Sequence, residues 1–308
     1  MNQSQLRRFL NFVEIRTKLA TFLPFCAALA YVFYTNGSIN VRSTLIYLLA
    51  ALFLDMSVTA INNYFNSKEE NEIPHYGQQI SLVIIGIMML IAIGLGLYLV
   101  YLHGFTILFL GVYCFFIGIA YSFGPAPICK SPYGEIFSGF TIGTVIMFIV
   151  VSINDPAFLP LGLSFSLSEL RLGLDIDLVY LFTFGVVTLP ATLAGANIML
   201  ANNICDREAD RLFRYTLVHS LGLKKSLFLF AGLYYFAYFS ILLAILLGRI
   251  PLFCILTLGT FPIVQKNVRR FKQTQSKQET FVLSVKNFTL ILVVYALSMA
   301  FGAIIPMF

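Results

Sequence analysis

Residues 73–129 read IPHYGQQISLVIIGIMMLIAIGLGLYLVYLHGFTILFLGVYCFFIGIAYSFGPAPIC and contain no Asp, Glu, Lys or Arg. This stretch decides the fold class, because a helix that crosses the hydrocarbon core of a bilayer needs about 20 mainly apolar residues. The stretch is long enough for two such helices, with a hinge expected near His103-Gly104. The sequence therefore predicts a protein that spans the membrane.

The composition of the whole chain is that of an integral membrane protein. Of its 308 residues, 59% are hydrophobic and only 11% are charged, and the mean hydropathy is +0.86. A soluble domain has roughly 45–50% apolar and about 25% charged residues. Seven further apolar windows bring the predicted transmembrane helices to nine, and they cover residues 19–35, 43–66, 136–153, 178–204, 226–247, 250–264 and 287–306. We expect an all-α protein, in which the window at 250–264 is the shortest and the weakest candidate for a transmembrane helix.

Basic residues are distributed unevenly around these nine predicted helices. All but three of the 20 Lys and Arg residues precede the first helix or follow helices 2, 4, 6 and 8, the exceptions being Arg42, Arg171 and Arg249. Because cytoplasmic loops are rich in Lys and Arg, we predict a cytoplasmic N-terminus. The net charge of +6 follows from this topology and requires no nucleic-acid partner.

The N-terminal segment and the cysteines each give one further prediction. The first 20 residues place Glu14, Arg16 and Lys18 where a removable signal sequence has its apolar stretch, so we expect no such signal. The five cysteines are scattered, without C-x-x-C spacing, and we expect them to act as small apolar residues.

Charge returns abruptly at the end of a long apolar window, in ANNICDREAD, residues 201–210. A similar stretch, NNYFNSKEE at residues 62–70, follows the second predicted helix on the same predicted side of the membrane. Alignment pairs Asn62 with Asn202, Asn63 with Asn203, Asn66 with Asp206 and Glu70 with Asp210. The repeat predicts two equivalent halves, offset by four helices, within a single domain of residues 1–308.

The spacing of these residues points to a metal site. Asn202, Asp206 and Asp210 are four apart, so they project from the same face of a helix. A charged helix end alone is usually only a solvated terminus, but Asp55 lies inside an apolar window, where a carboxylate indicates function. Oxygen-rich faces suit Mg²⁺, which binds through a few carboxylates together with substrate phosphates. We predict a Mg²⁺–diphosphate site with Asp206, Asp210, Glu70 and Asp55 as metal ligands.

Basic residues beside the second motif would hold the remaining phosphate charge. They are Arg207, Arg211, Arg214, Lys224 and Lys225.

Four stretches resemble the UbiA-type intramembrane prenyltransferases, and most closely the 1,4-dihydroxy-2-naphthoate polyprenyltransferases of menaquinone biosynthesis. They are VEIRTKLATFLPF (13–25), LDMSVTAINNYFNSKE (54–69), YSFGPAPICKSPYGEIFSGFTIG (121–143) and GANIMLANNICDREADRLFRYTLVHSLG (195–222). The resemblance implies a ring of nine transmembrane helices around a central cavity, in the plasma membrane of a bacterium. It also implies Mg²⁺-dependent transfer of a prenyl chain from an isoprenyl diphosphate to an aromatic acceptor.

The same resemblance assigns roles to individual residues. Those expected to take part in catalysis are Asn62, Asn66, Asn202, Asp206 and Asp210. Those expected to bind the substrates are Asn63, Lys18, Tyr121, Lys130, Arg207 and Arg214. Lys18 would hold the carboxylate of the acceptor or extend to the membrane interface. The first motif departs from the family pattern N-D-x-x-D-x-x-x-D, since amides stand at positions 63 and 66.

Other functions remain open at this point. A transporter also places polar residues in its membrane helices, but here the polar cluster lies at one face and the two halves repeat in parallel. A phosphatidyl-alcohol transferase would carry a D-G-x-x-A-R signature, which the sequence lacks. A different aromatic acceptor, or a protein that only binds or transports quinones, would show the same motifs.

Overall fold

The computed structural model of the protein describes residues 3–69, 76–155, 161–166, 171–211 and 213–305. Eight helices in these ranges are long and apolar enough to cross a membrane. They are Ile15–Asn36, Val41–Phe65, Gln78–His103, Phe105–Ser122, Gly134–Asn154, Leu178–Cys205, Leu223–Leu246 and Phe281–Ile304. The prediction of a largely helical membrane protein is confirmed.

The helices are numbered in chain order. The first seven are α1 (Gln3–Phe12), α2 (Leu19–Asn36), α3 (Val41–Glu69), α4 (Gln78–His103), α5 (Phe105–Ser122), α6 (Gly134–Gly139) and α7 (Ile146–Asn154). The remaining six are α8 (Leu178–Cys205), α9 (Arg207–Asp210), α10 (Leu217–Leu221), α11 (Leu223–Leu246), α12 (Phe261–Gln273) and α13 (Phe281–Ile304). Short 3₁₀ helices cover Ile15–Lys18, Ile128–Lys130 and Leu252–Thr260, and a π-helix covers Phe140–Val145.

The charge-free stretch forms two helices with the hinge where the sequence predicts it. Helix α4 ends at His103 and α5 begins at Phe105. Gly104 between them has φ +85°, a backbone conformation that residues with a Cβ rarely adopt. A single glycine therefore separates two apolar helices.

The predicted window at 250–264 has a different structure from the other eight. The 3₁₀ helix Leu252–Thr260 continues directly into α12, whose second half is rich in Lys and Arg. This segment is not one of the eight apolar spans found in the described ranges. The count of nine and the cytoplasmic N-terminus remain predictions.

One departure from an all-α fold is a two-stranded antiparallel hairpin. Strand β1 (Leu161–Ser166) pairs with β2 (Arg171–Ile176), with Leu163 opposite Leu174. The sequence carried the signal for it, because Leu161, Leu163 and Phe165 alternate with small residues at the period of a strand.

The chain divides into two compact units. The first comprises Met1–Phe22 and Val41–Ile128, and α3 packs there against α4 and α5. Its core joins the end of α1 to the C-terminal part of α3 and the N-terminal half of α4 through Phe12, Val13, Ala60, Tyr64, Ile85 and Met88. Asn62 and Asn63 of the first motif lie on α3 beside this core.

The second unit comprises Leu23–Asn40 and Cys129–Phe308, and α8 is its central helix, with α11, α13 and the helix 134–154 packed against it. A Cβ at Gly143 would lie 2.2 Å from the backbone nitrogen of Thr192, so only glycine permits this contact. Thr144 Oγ1 lies 2.9 Å from the Thr192 hydroxyl. This packing fixes α8, whose C-terminal end carries the second motif.

Candidate functional site

The second motif lies where α8 ends. The backbone amide of Asp206 donates to the Asn202 carbonyl at 3.0 Å, and that of Asp210 donates to the Asp206 carbonyl at 2.8 Å. These helical hydrogen bonds continue from α8 into the short helix α9. The spacing of four residues therefore places Asn202, Asp206 and Asp210 in successive helical turns, as the sequence predicts.

A lysine ammonium lies between the oxygens of the first two of these residues. Lys277 Nζ donates to Asn202 Oδ1 and to Asp206 Oδ2. Lys277 belongs to the turn that precedes α13, where Thr280 Oγ1 donates to the Thr274 carbonyl at 2.9 Å. The ammonium occupies the position that a cation bound by these two oxygens would take.

The sequence predicts Lys277 only as a basic residue of a loop and does not identify it as a site residue. It lies 71 positions from Asp206 along the chain. Neither periodicity nor motif spacing connects the two residues, since the packing of the turn against α8 brings them together.

Asp210 carries a buried carboxylate oxygen that has no hydrogen-bond partner in the described part of the chain. Its Oδ1 lies 3.4 Å from Arg214 Nε, while Oδ2 is buried and has no hydrogen-bond partner among the described residues. Burial raises the pKa of the Asp210 carboxyl above its usual value; the positive charge of Arg214 opposes this, and the negative charge of Asp206 adds to it. A buried, unpaired carboxylate oxygen suits a hard cation, which it can bind without breaking another contact.

Arg207 is held at the surface beside the motif. Its guanidinium pairs with Glu208, and this hydrogen bond lowers the pKa of the exposed Glu208 carboxyl. The Arg207 carbonyl lies 3.1 Å from His219 Nε2, while Thr216 Oγ1 lies 3.0 Å from His219 Nδ1. Exposed ion pairs are weak, so Arg207 can exchange Glu208 for a phosphate.

Glu135, which the sequence did not single out, has a buried carboxylate that contacts the second motif. Asn203 Nδ2 donates to Glu135 Oε1 at 2.9 Å, and both side chains are almost fully buried. Glu135 Oε2 has no hydrogen-bond partner among the described residues. The signal was present, because Glu135 immediately precedes the apolar window 136–153. Asn203 is therefore oriented by α6.

In the first unit, two predicted site residues form one ion pair. Lys18 Nζ lies 2.6 Å from Asp55 Oδ1 and donates to Thr59 Oγ1 at 2.6 Å, while Thr21 Oγ1 donates to Asp55 Oδ2 at 2.5 Å. Lys18 is only 4% exposed, so it is buried in the protein and does not extend to the interface. Both oxygens of Asp55 are occupied, and a metal or an acceptor carboxylate would have to replace these contacts.

The first motif itself is only partly described. Asn63 Nδ2 donates to the Phe12 carbonyl at 3.0 Å, which ties α3 to the end of α1. Asn62 lies half-buried on α3. The side chain of Asn66 and the whole of Glu70 lie outside the described residues, so their roles in catalysis and metal binding remain predictions.

Tyr121 and Lys130 fall in different units. Tyr121 is half-buried near the end of α5 in the first unit. Lys130 belongs to the second unit, where its carbonyl accepts a hydrogen bond of 3.0 Å from the backbone amide of Tyr215. Lys130 is thus attached to the segment that follows the second motif.

The described residues include no group of three or more His, Cys, Asp or Glu side chains that could hold a metal. The five cysteines are free. A metal at the second motif would therefore need amide oxygen and phosphate oxygen besides carboxylate. Asn202 Oδ1, Asp206 and the unpaired Asp210 Oδ2 fit Mg²⁺, which commonly binds through one or two carboxylates plus substrate phosphates.

Long apolar helices and an Asn/Asp motif at the end of one of them define an intramembrane protein with a polar site at one membrane face. Residues 22–293 match the UbiA prenyltransferase family, and the chain belongs to that family. The 1,4-dihydroxy-2-naphthoate octaprenyltransferase of Bacillus subtilis (strain 168) is 26% identical over 193 residues, which are 62% of this chain. The match spans 55% of that protein, little more than half of its length.

Two solved structures share the fold across almost the whole chain. A structure reported for digeranylgeranylglyceryl phosphate synthase in membranes has a TM-score of 0.62 at 14% identity, covering 98% of this chain and 99% of that one. A UbiA homologue from Archaeoglobus fulgidus bound to GPP and Mg²⁺ has a TM-score of 0.61 at 12% identity, covering 96% and 99%. At these identities the likeness shows the common fold.

Proposed function

We propose that the protein transfers a polyprenyl group from an isoprenyl diphosphate to an aromatic acceptor, with 1,4-dihydroxy-2-naphthoate as the expected acceptor. The observation that carries the proposal is the oxygen cluster at the end of α8. Asn202 and Asp206 hold a cationic ammonium there, and Asp210 adds a buried, unpaired oxygen. Such a cluster at a membrane face suits a ligand with a diphosphate head and an apolar tail.

The relatives support the choice of substrates. The B. subtilis protein acts, by its name, on 1,4-dihydroxy-2-naphthoate. Structures of the A. fulgidus homologue contain GPP or DMAPP together with Mg²⁺. Both the aromatic acceptor and the isoprenyl diphosphate therefore have precedents within the fold.

Asn202, Asp206 and Asp210 would hold Mg²⁺ in the second unit, with Glu70 and Asp55 as further candidates in the first. When bound, Mg²⁺ neutralises the charge that develops on a departing diphosphate. Lys277 would then exchange its two oxygen partners for phosphate oxygens. Arg214, held beside Asp210, would act in the same way as a planar donor of two hydrogen bonds.

The reaction proposed is an electrophilic aromatic substitution. The allylic C–O bond of the prenyl diphosphate breaks, and its electron pair leaves with the diphosphate. The electron-rich ring then forms a C–C bond to the prenyl carbon. For dihydroxynaphthoate, the bond to the ring carboxylate breaks at the same carbon, its electron pair restores the aromatic ring, and CO₂ leaves. Exclusion of water by the apolar helices would protect the cation between these steps.

The test is a membrane assay with radiolabelled prenyl diphosphate, a panel of aromatic acceptors and Mg²⁺. We expect product with dihydroxynaphthoate, and loss of at least a hundredfold in rate for Asp206→Asn and Asp210→Asn, because an uncharged amide oxygen binds Mg²⁺ more weakly than a carboxylate. Glu279→Gln is the matched control, an exposed carboxylate near Lys277. Wild-type protein that binds quinones but yields no product with any acceptor would contradict the proposal and favour a quinone-binding protein.

A further inference from the structure

Helix α12 presents a basic surface that the proposed function does not use. Lys266, Arg269 and Arg270 are exposed, and α12 contains no Asp or Glu. A groove of about 340 Å³ runs along this surface, at the small end of the usual range of ligand sites. The α12 groove is lined by Pro262, Gln265, Lys266, Arg269, Arg270 and Gln273.

The opposite face of α12 is anchored to membrane-spanning helices. Buried Phe271 packs on Phe230 of α11, with ring centroids 4.5 Å apart. Asn267 Nδ2 donates to Asn287 Oδ1 of α13 at 2.7 Å. Because α12 is fixed to both neighbours, its basic side chains project from a rigid helix.

The groove lies at the end of the second unit where apolar helices give way to polar residues. The turn after α12 carries Lys277, which contacts Asn202 and Asp206 at the end of α8. Helix α13 begins immediately beyond this turn, at Phe281. The end of one apolar helix and the start of another mark the level at which lipid headgroups lie.

We propose that the α12 groove binds the headgroup of an anionic phospholipid. Arg269 and Arg270 offer planar guanidinium groups that bind phosphate through paired hydrogen bonds, and Lys266 adds a point charge. Gln265 is positioned by the Tyr235 hydroxyl, which donates to its Oε1 at 2.6 Å. Gln265 lines the groove and can offer its amide nitrogen there as a neutral donor. This site is independent of the proposed prenyl transfer.

The experiment compares lipid retention by matched variants. Protein in nanodiscs of phosphatidylcholine and phosphatidylglycerol is examined by native mass spectrometry for lipids that remain bound. We expect wild type to retain phosphatidylglycerol selectively and Arg269→Gln/Arg270→Gln to lose this preference by about twenty-fivefold, since each cation contributes roughly fivefold. Arg7→Gln/Arg8→Gln removes the same charge from two exposed residues of α1 and should leave the preference unchanged.

Three outcomes would overturn the headgroup site. An equal loss in both double variants would show diffuse attraction to anionic lipid without a defined site, as would a wild type without selectivity. A second arm measures binding of an isoprenyl diphosphate in pure phosphatidylcholine. If Arg269→Gln/Arg270→Gln lost that binding and kept its preference for phosphatidylglycerol, the groove would belong to the prenyl substrate. Unchanged diphosphate binding together with lost lipid selectivity supports the proposal.

Discussion

Lysine ammonium groups lie against oxygens predicted to bind metal in both units. Lys18 contacts Asp55 in the first unit, and Lys277 contacts Asn202 and Asp206 in the second. A carboxylate removed from water is stable only beside a positive charge or a set of donors. The two lysines serve as such charges, but in different surroundings, because Lys18 is buried and Lys277 is partly exposed.

The ammonium of Lys277 would compete with a metal ion for the same two oxygens, and this gives a prediction about cation affinity. Lys277→Met should let Mn²⁺, as a spectroscopic probe for Mg²⁺, bind at about fivefold lower concentration in the absence of substrate, because the competing ammonium is gone. Electron paramagnetic resonance of free Mn²⁺ measures this directly. Lys272→Met, an exposed lysine of α12, is the control. Equal Mn²⁺ affinity in wild type and Lys277→Met would show that Lys277 does not occupy the cation position.

The ion pair of Lys18 and Asp55 gives a prediction about stability. Lys18→Met or Asp55→Asn alone should cost about 3 kcal/mol, because each leaves a charge without its partner. The double variant should recover a large part of this loss, as measured by thermal unfolding in detergent. The rate of prenyl transfer by these variants then separates a structural role of the ion pair from a role in binding. A double variant that is stable and has normal activity would show that neither residue binds metal or acceptor.

At the scale of elements, close packing of helices places the second motif. Residues 134–154 form one apolar span in which α6 passes into a π-helix and then into α7. Gly139 and Gly143 face α8, where a Cβ would lie 2.7 Å from Ala196 and 2.2 Å from Thr192. Glu135, the second residue of the same span, accepts a hydrogen bond from Asn203. A change in this contact should therefore reach the motif.

Gly143→Ala tests this contact. The added methyl group meets backbone atoms, so α8 must shift, and we expect a loss of about 1–3 kcal/mol in stability together with weaker Mn²⁺ binding. Gly185→Ala on α8 is the control, since a Cβ there meets no atom within 4 Å. Thermal unfolding and Mn²⁺ titration of the two variants provide the measurement. Similar stability of both would argue against tight packing at Gly143.

At the scale of the whole molecule, the number of membrane crossings determines where the two termini lie. An odd number places them on opposite sides, and an even number places them on the same side. The segment that decides between nine and eight is Leu252–Gln273, in which a 3₁₀ helix continues into the basic helix α12. Its apolar first part favours insertion, while its basic second part favours the interface.

Reporter fusions at the two ends decide the count. We expect a reporter before Met1 to be cytoplasmic and one after Phe308 to be extracytoplasmic, as nine crossings require. A third reporter, inserted in the turn after Gln273, should be cytoplasmic. Two terminal reporters on the same side would reduce the count to eight and place Leu252–Gln273 at the membrane face.

The sequence by itself determined the class of fold and the geometry within each helix. The length of an apolar window and the spacing of polar residues are local properties of the sequence. They predicted eight of the spans, the Gly104 hinge and the position of Asn202 and Asp206 on successive turns of one helix. The likeness of the motifs to a known family pointed to the same fold. The β-hairpin was not predicted, although its residues alternate at the period of a strand.

Only the tertiary structure decided which groups those helices bring together. Glu135 lies 68 positions from Asn203, and Lys277 lies 71 from Asp206. Lys18 and Asp55 were each singled out, but their pairing across 37 positions was not predicted. The physical reason is that hydropathy specifies how deep a residue lies in the membrane, whereas its partner depends on how helices rotate and pack against one another.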